Sequence, residues 1–166
     1  MLSVSMTRQA SFRALAMAGL VAAAMAASAA GANAGECPAD KIAANAMKPG
    51  ATAPEGVTDT VLSSIDLAKE AVKLSDRQFR LRRLEVQPGG VVPWHSHEDR
   101  PALIYIVQGS ITEYSSGCSV PIEHMAGEAA MESVGLSHWW KNNGKTAVVL
   151  LSADILHVKK DDGQMM

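Results

Sequence analysis

The stretch GGVVPWHSH, residues 89–97, carries the strongest structural signal in the sequence. Its two glycines are typical of a turn, and the β-branched and aromatic residues after them predict a short strand. Alternate residues of a strand point to the same face, so His95 and His97 should lie side by side. Two neutral imidazoles on one rigid face form half of a transition-metal site.

A second glycine-framed stretch contains a third histidine. Gly127 and Gly135 precede His138, and Asn142 follows it. Turn residues again lead to a histidine that enters an apolar segment. A third imidazole would supply most of the protein donors of a mononuclear metal site.

The two stretches together resemble the two-motif signature of the cupin superfamily. The first family motif is Gly-x5-His-x-His-x3,4-Glu-x6-Gly, and the second is Gly-x5-Pro-x-Gly-x2-His-x3-Asn. The matching positions are Gly89, His95, His97 and Gly109 in the first motif, and Gly127, Gly135, His138 and Asn142 in the second. Two positions differ, since Ala102 replaces the glutamate and Ser133 replaces the proline.

The resemblance implies an all-β fold, a double-stranded β-helix or jelly-roll barrel. It also implies that His95, His97 and His138 bind a divalent transition metal. The sequence does not select among Fe, Mn, Zn, Ni and Cu. His124 and His157 lie outside the motif positions and are expected to be structural.

The alanine at position 102 leaves the motif without its carboxylate. Three neutral imidazoles would keep the full charge of a divalent ion and favour an anionic or chelating ligand. Cysteine dioxygenase and acetylacetone dioxygenase are cupins with such a three-histidine site. Glu98 and Asp99 are near, but neither has the family spacing. Whether either one replaces the missing glutamate stays open.

Strand parity predicts an apolar pocket beside the three histidines. The lining residues expected on the ligand face are Ala102, Ile104, Ile106 and Trp140. Trp94 and Trp139 should point away from it. Arg100 could guard the pocket mouth, although a solvated surface position is the simpler expectation.

The rest of the mature chain predicts short strands separated by glycine-rich turns, which is typical of a β-sandwich or barrel. We expect an irregular N-terminal arm over residues 35–56, rich in proline and glycine, and a barrel domain over residues 57–160. Apolar residues at 79 and 81, then at 84 and 86, change parity. This change predicts a bulge or a strand that exchanges faces.

The first 34 residues have the features of a signal peptide. Arg8 and Arg13 precede an apolar run over residues 14–30, and Ala32-Asn33-Ala34 provides a small-x-small cleavage site. A membrane anchor is the competing interpretation. We predict export to the periplasm or the medium, with a mature chain that begins at or near Gly35 and no later membrane segment.

Charge and cysteine content narrow the functional classes. Removal of Arg8 and Arg13 lowers the basic count from 15 to 13 against 17 acidic residues, a net charge of −4. No basic patch is present, so nucleic acid is an unexpected partner. Cys37 and Cys118 both lie in the exported part, and a disulfide between them is favoured over two free thiols.

Three functional classes fit these features. The leading hypothesis is a metal-binding cupin with dioxygenase-type redox chemistry on a small anionic molecule. The alternatives are a non-catalytic module that binds a small molecule or metal, and a metal-assisted isomerase or hydrolase. The last class needs a general base near the metal, and the sequence places none. The assembly, monomer or homodimer, stays open.

Overall fold

The computed structural model describes residues 35–158, which form an almost entirely β domain. A short 3₁₀ helix, Ala39–Lys41, precedes the strands. The strands are β1 Glu55–Asp66, β2 Arg77–Ser96, β3 Ala102–Gln108, β4 Ser110–Ser115, β5 Ile122–Met125, β6 Ala129–Glu132, β7 Ser137–Lys141 and β8 Val148–His157. The predicted signal peptide, residues 1–34, and the C-terminal residues 159–166 lie outside the described residues.

The strands pair in the order β5-β4-β7-β2-β8-β3-β6, with β1 added to β2. Every pair is antiparallel. This order closes the sheet into a nearly complete barrel, so the predicted jelly-roll fold is confirmed.

The long strand β2 connects the two halves of the barrel. Its first half, residues 77–86, pairs with β8, and its second half, residues 91–96, pairs with β7. Gly89 lies between the halves with φ of 78°, a left-handed conformation that a side chain disfavours. The turn predicted from this glycine pair therefore lies within one continuous strand, which leads to His95 and to the buried His97.

The core follows the alternation of strand residues. Along β8, every second residue is buried from Val148 to Leu156. The inward side chains form one apolar cluster: Leu84, Val86, Val92, Ile104, Ile106, Ile111, Trp140, Val148 and Leu150. The candidate site described below lies against this apolar cluster.

The parity change near residue 82 has an electrostatic cause. The pairing of β2 with β8 is continuous from residue 77 to 86, and the extra residue lies in β1 between Val61 and Ser63. The inward face of β2 carries Arg82 and then Leu84, whereas Leu81 is partly exposed outside. The bulge therefore belongs to the partner strand, and charged residues occupy inward positions that the apolar pattern alone would not assign.

The N-terminal segment before β1 is held to the barrel by a disulfide. Cys37 and Cys118 are bonded, with Cα atoms 5.7 Å apart, so the predicted bridge is confirmed. Ile42 forms a single β-bridge with Cys118, and the carbonyl of Ala51 accepts a hydrogen bond from the amide of Trp94. Within residues 35–158 no helix is long and apolar enough to cross a membrane.

Candidate metal centre

The pairing of β2 with β7 brings the three motif histidines together. His95 of β2 lies directly opposite His138 of β7 in the sheet register. His97 follows the end of β2 and donates its backbone N–H to the carbonyl of Leu136. The Nε2 atom of His138 lies 3.1 Å from that of His97 and 3.2 Å from that of His95.

A carboxylate completes this cluster, and it comes from a residue that the sequence motifs did not indicate. Glu132, at the end of β6, is 2% exposed. Its two oxygens lie 3.1 Å from Nε2 of His97 and 3.2 Å from Nε2 of His138. One donor atom from each of His95, His97, Glu132 and His138 lies within 4.8 Å of all the others.

The position of Glu132 explains why Ala102 is small. Ala102 on β3 and Glu132 on β6 are direct partners in the sheet register. Facing residues of an antiparallel pair share one face and have Cβ atoms about 5 Å apart. The carboxylate expected on β3 is thus supplied by the neighbouring strand, and the alanine leaves room for it. Only the pairing of β3 with β6 reveals this role of Glu132, because neither family motif assigns a residue type to position 132.

Neither of the acidic residues near the first motif takes that role. Glu98 is exposed and accepts a hydrogen bond from the amide of Gly135. Asp99 forms an ion pair with Arg77 at 2.7 Å. Arg100 is 9% exposed, so it is largely buried rather than solvated at the surface.

The hydrogen bonds of the three imidazoles define their tautomers. Nδ1 of His95 lies 2.8 Å from the carbonyl of Pro93, and Nδ1 of His97 lies 2.8 Å from that of Arg100. Nδ1 of His138 lies 2.7 Å from a carboxylate oxygen of Glu113. Carbonyl and carboxylate oxygens only accept, so each Nδ1 carries the proton. All three Nε2 lone pairs therefore point at one another.

Burial keeps His95 and His97 neutral, as metal binding requires. It also favours the protonated form of Glu132, whose proton a metal would displace. Desolvation lowers the pKa of His95 to about 2 and the pKa of His97 to about 4. Desolvation also raises the pKa of Glu132 to about 7. In Glu113, burial would raise the pKa, but the hydrogen bonds from His124 and His138 outweigh it and bring the pKa to about 2.

This donor set fits a divalent transition metal. Three imidazole nitrogens and one carboxylate converge, with one donor atom of each within 4.8 Å of the others. Donors separated by 3.1–3.2 Å can both contact one ion whose bond lengths are about 2.0–2.2 Å. Imidazole suits Zn, Cu, Fe and Ni, so the donors alone do not identify the metal.

An apolar cavity opens beside the cluster. It encloses about 210 Å³ including its open mouth, and its lining is Val92, His95, Ile104, Glu132, Trp140 and Leu150. Of the four residues expected to line a pocket, Ile104 and Trp140 do so. Ala102 and Ile106 are buried but are not part of this lining.

The remaining tryptophan and histidine residues differ in whether they lie near the metal cluster. Trp139 stacks on Tyr114 with ring centroids 4.0 Å apart, pointing away from the site as expected. His157 pairs with Asp76 at 2.9 Å. His124, by contrast, is buried within 2.9 Å of Glu113, which itself holds His138. The sequence predicted a structural role for His124 and did not single out Glu113, since only the pairing of β4 with β5 and β7 brings them behind the site.

Comparisons with known proteins agree with this architecture. Residues 82–154 match the family model described as the cupin domain. Germin-like protein 1 of Brassica napus is 35% identical over 72 residues, 42% of this chain and 35% of that protein. Nectarin-1 of Nicotiana plumbaginifolia is 26% identical over 109 residues, 64% of this chain and 46% of that protein. The chain thus spans less than half the length of these relatives.

A solved structure supports the fold. The crystal structure of a predicted oxalate decarboxylase from Thermotoga maritima superposes with a TM-score of 0.50 and 24% identity, over 69% of this chain and 97% of that one. The barrel, the motif histidines and the family match lead to one conclusion: residues 82–154 of this chain form a cupin domain.

Proposed function

We propose that this protein is an exported, metal-dependent cupin oxidoreductase with dioxygenase-type chemistry on a small anionic or chelating molecule. The observation that carries the proposal is the convergence of three Nε2 lone pairs and the Glu132 carboxylate at one end of an apolar cavity. His95, His97, Glu132 and His138 would hold the ion. When bound, a redox-active metal supplies open coordination positions and electron transfer.

The chain's own residues would select the ligand by charge and size. Three neutral imidazoles and one carboxylate leave a charge of +1 on a divalent ion, which still attracts an anion. The cavity beside the ion is small and mostly apolar, and its volume of about 210 Å³ includes open solvent at the mouth. Val92, Ile104 and Leu150 would exclude water around a molecule of a few heavy atoms.

The cavity lining argues against a metal-assisted isomerase or hydrolase. Such enzymes need a general base within hydrogen-bonding reach of the substrate. Among the described residues that line the cavity, the only ionisable ones are His95 and Glu132, and both belong to the proposed ligand set. Redox chemistry, which can proceed at the metal without a separate base, suits this lining better.

Metal reconstitution tests the proposal. Metal-free protein would be loaded separately with Fe(II), Mn(II), Co(II) and Zn(II), and O2 uptake would be followed with a panel of small chelating carboxylates. We expect uptake with a redox-active metal and none with Zn(II). The variant His138→Ala should lose metal and activity, whereas His157→Ala, outside the cluster, should keep both.

Two results would contradict the proposal. Ligand that is bound and released unchanged, with no O2 uptake for any metal, would make the protein a binding module. Equal metal content in His138→Ala and His157→Ala would move the metal site elsewhere.

Export is part of the proposal and has its own test. The disulfide between Cys37 and Cys118 supports it, since such bonds persist in oxidising compartments. The mature protein from the native host should begin at or near Gly35 by N-terminal sequencing. An intact N-terminus at Met1 in the soluble fraction would contradict export by this signal.

A further inference from the structure

A buried carboxylate and a fourth imidazole lie directly behind the candidate metal centre. Glu113 of β4 is 5% exposed, and one of its oxygens accepts a hydrogen bond from Nδ1 of His138 at 2.7 Å. Its other oxygen lies 2.9 Å from Nε2 of His124, which is 1% exposed. The three side chains form two consecutive hydrogen bonds that end on a proposed ligand.

The sheet register produces this chain of contacts. Strand β4 lies between β5 and β7, with Ile111 opposite His124 and Ser115 opposite His138. Glu113 lies on β4 between these two positions, so one carboxylate can reach an imidazole on each side. His124 also packs against Trp140, with ring centroids 4.6 Å apart, and Trp140 lines the cavity.

The proton positions follow from the carboxylate, which only accepts. His138 must donate from Nδ1, and His124 must donate from Nε2. Nδ1 of His124 is then a buried lone pair with no hydrogen-bond partner among the described residues. Gly35 of the arm lies beside it, where an added Cβ would stand 3.3 Å from that nitrogen. The arm thus closes the outer end of the network.

His138 differs from the other two proposed ligands in what its second nitrogen contacts. His95 and His97 donate their Nδ1–H to neutral backbone carbonyls. His138 donates to a full negative charge, which makes its Nε2 a stronger donor to a metal. A buried carboxylate is costly unless it is paired, so packing alone would be served better by an apolar residue.

We propose that Glu113 and His124 are positioning residues for the metal centre. Glu113 holds His138 with Nε2 aimed at the ion and adds a fixed negative charge, and His124 holds Glu113 in place. This inference rests on the proposed function, because it requires His138 to bind metal. With a divalent ion, Glu132 and Glu113 bring the formal charge of the buried group to zero. The two carboxylates therefore favour the cation and weaken, without abolishing, the binding of the anionic ligand that the proposed function requires.

The test uses the full mature protein loaded with Co(II). Glu113→Gln preserves the shape but removes the charge, and we expect Co(II) affinity to fall about 10–100-fold in a chelator competition. Azide affinity of the loaded protein should rise, and the visible Co(II) spectrum should shift. His124→Leu should weaken Co(II) binding in the same direction, and His124→Gln, which keeps an N–H donor, should recover part of it.

The matched control is His157→Gln, which breaks another histidine–carboxylate pair, that of His157 with Asp76. It should leave Co(II) affinity and azide affinity unchanged. A folded Glu113→Gln variant with wild-type Co(II) affinity and spectrum would overturn the inference alone. A wild-type protein that binds no divalent metal would overturn the proposed function as well, so the two failures are distinguishable.

A measurement on the unmodified protein covers the case in which Glu113→Gln does not fold. Nitrogen-15 NMR of the Zn(II)-loaded protein should show His138 protonated at Nδ1 and His124 protonated at Nε2, both protected from exchange. Protonation of His124 at Nδ1, or rapid exchange of both protons, would overturn the inference.

Discussion

Ala102 and Glu132 show how one side chain can take over the place of another across a strand pair. They face each other in the register of β3 and β6, so their side chains project into the same part of the barrel. The family motif places a carboxylate at the position of Ala102. Here the carboxylate starts from the opposite strand and reaches the same imidazoles.

Moving the carboxylate back should restore the site. Glu132→Ala removes one of four proposed donors and should lower divalent metal affinity at least tenfold. The double variant Ala102→Glu with Glu132→Ala should recover most of that loss, since the new side chain points at the same imidazoles. Chelator competition with Co(II) measures both. No recovery in a folded double variant would mean that the two positions do not share the site.

The raised pKa of Glu132 makes metal binding depend on pH. Burial brings this pKa from 4.5 to about 7 in the metal-free protein, so below pH 7 a proton must leave before the ion binds. The pKa values of His95 and His97, at about 2 and about 4, keep both imidazoles neutral above pH 5. Apparent metal affinity should therefore rise up to about tenfold per pH unit from pH 5 to 7 and then level off.

The raised pKa of Glu132 affects the stability of the metal-free fold in the opposite direction, because this stability falls as the pH rises. A raised pKa favours the protonated form, so this contribution to stability is complete below pH 4.5 and is lost as pH rises through 7. The loss is on the order of 3 kcal/mol at most. Denaturant titrations of metal-free wild-type and Glu132→Gln protein at pH 5 and 8 would measure it as the difference between the two proteins, because the lowered pKa values of His95 and His97 reduce stability at pH 5 in both. Glu132→Gln should also remove the pH slope of metal binding.

At the scale of elements, β2 divides the barrel interior into an apolar part and an ionic part. Toward the N-terminal end of β2, the inward side chains Leu84 and Val86 give way to Arg80 and Arg82. Asp154 of β8 is 1% exposed and lies 2.8 Å from Arg80 and 3.1 Å from Arg82. Two arginines therefore share the buried carboxylate of Asp154, and Arg82 also pairs with Asp59 of β1.

Loss of that carboxylate should destabilise the sheet strongly. Asp154→Asn would leave two buried or partly buried arginines without their shared partner, and breaking a buried pair costs about 3–5 kcal/mol. Urea denaturation should report this loss as a lower midpoint. Lys69→Ala, which removes an exposed pair with Asp66, is the control and should change the midpoint little. An Asp154→Asn midpoint equal to that of the control would contradict the importance of the buried pair.

At the scale of the whole molecule, the disulfide connects the N-terminal arm to the turn after β4. The bonded cysteines are 81 residues apart in the sequence, so the closed loop contains strands β1 to β4. Next to the bridge, Ala43 and Ala46 of the arm donate backbone hydrogen bonds to the turn at residues 116–117. The arm is therefore fastened at the end of the barrel where Gly35 covers His124.

Removal of the bridge should lower stability by restoring freedom to the unfolded chain. The chain-entropy model predicts about 4–5 kcal/mol for a loop of this length. The double variant Cys37→Ser with Cys118→Ser should therefore melt at least 10 °C lower by calorimetry. Reduction of the wild-type protein should give the same shift, and reduction of the double variant should give none. A melting temperature that neither treatment changes would contradict a stabilising role for the bridge.

The sequence by itself determined the elements whose signal is local. Glycines 89, 127 and 135 and the histidines at 95, 97 and 138 have fixed spacing along the chain, so the family, the barrel and three proposed ligands could be predicted. The pairing of Cys37 with Cys118 followed from their number and compartment. Strand alternation predicts an inward position for Ile104 and Trp140, two of the residues that line the cavity.

Only the tertiary structure decided which side chains approach from other strands. Glu132 reaches the cluster through the pairing of β6 with β3, and Glu113 and His124 reach it through the pairing of β4 with β7 and β5. Strand pairing sets these contacts, and strand register is not encoded in the spacing of residues along one strand. Buried charges are also invisible to an apolar pattern, because their inward position depends on partners that folding alone brings within hydrogen-bonding distance.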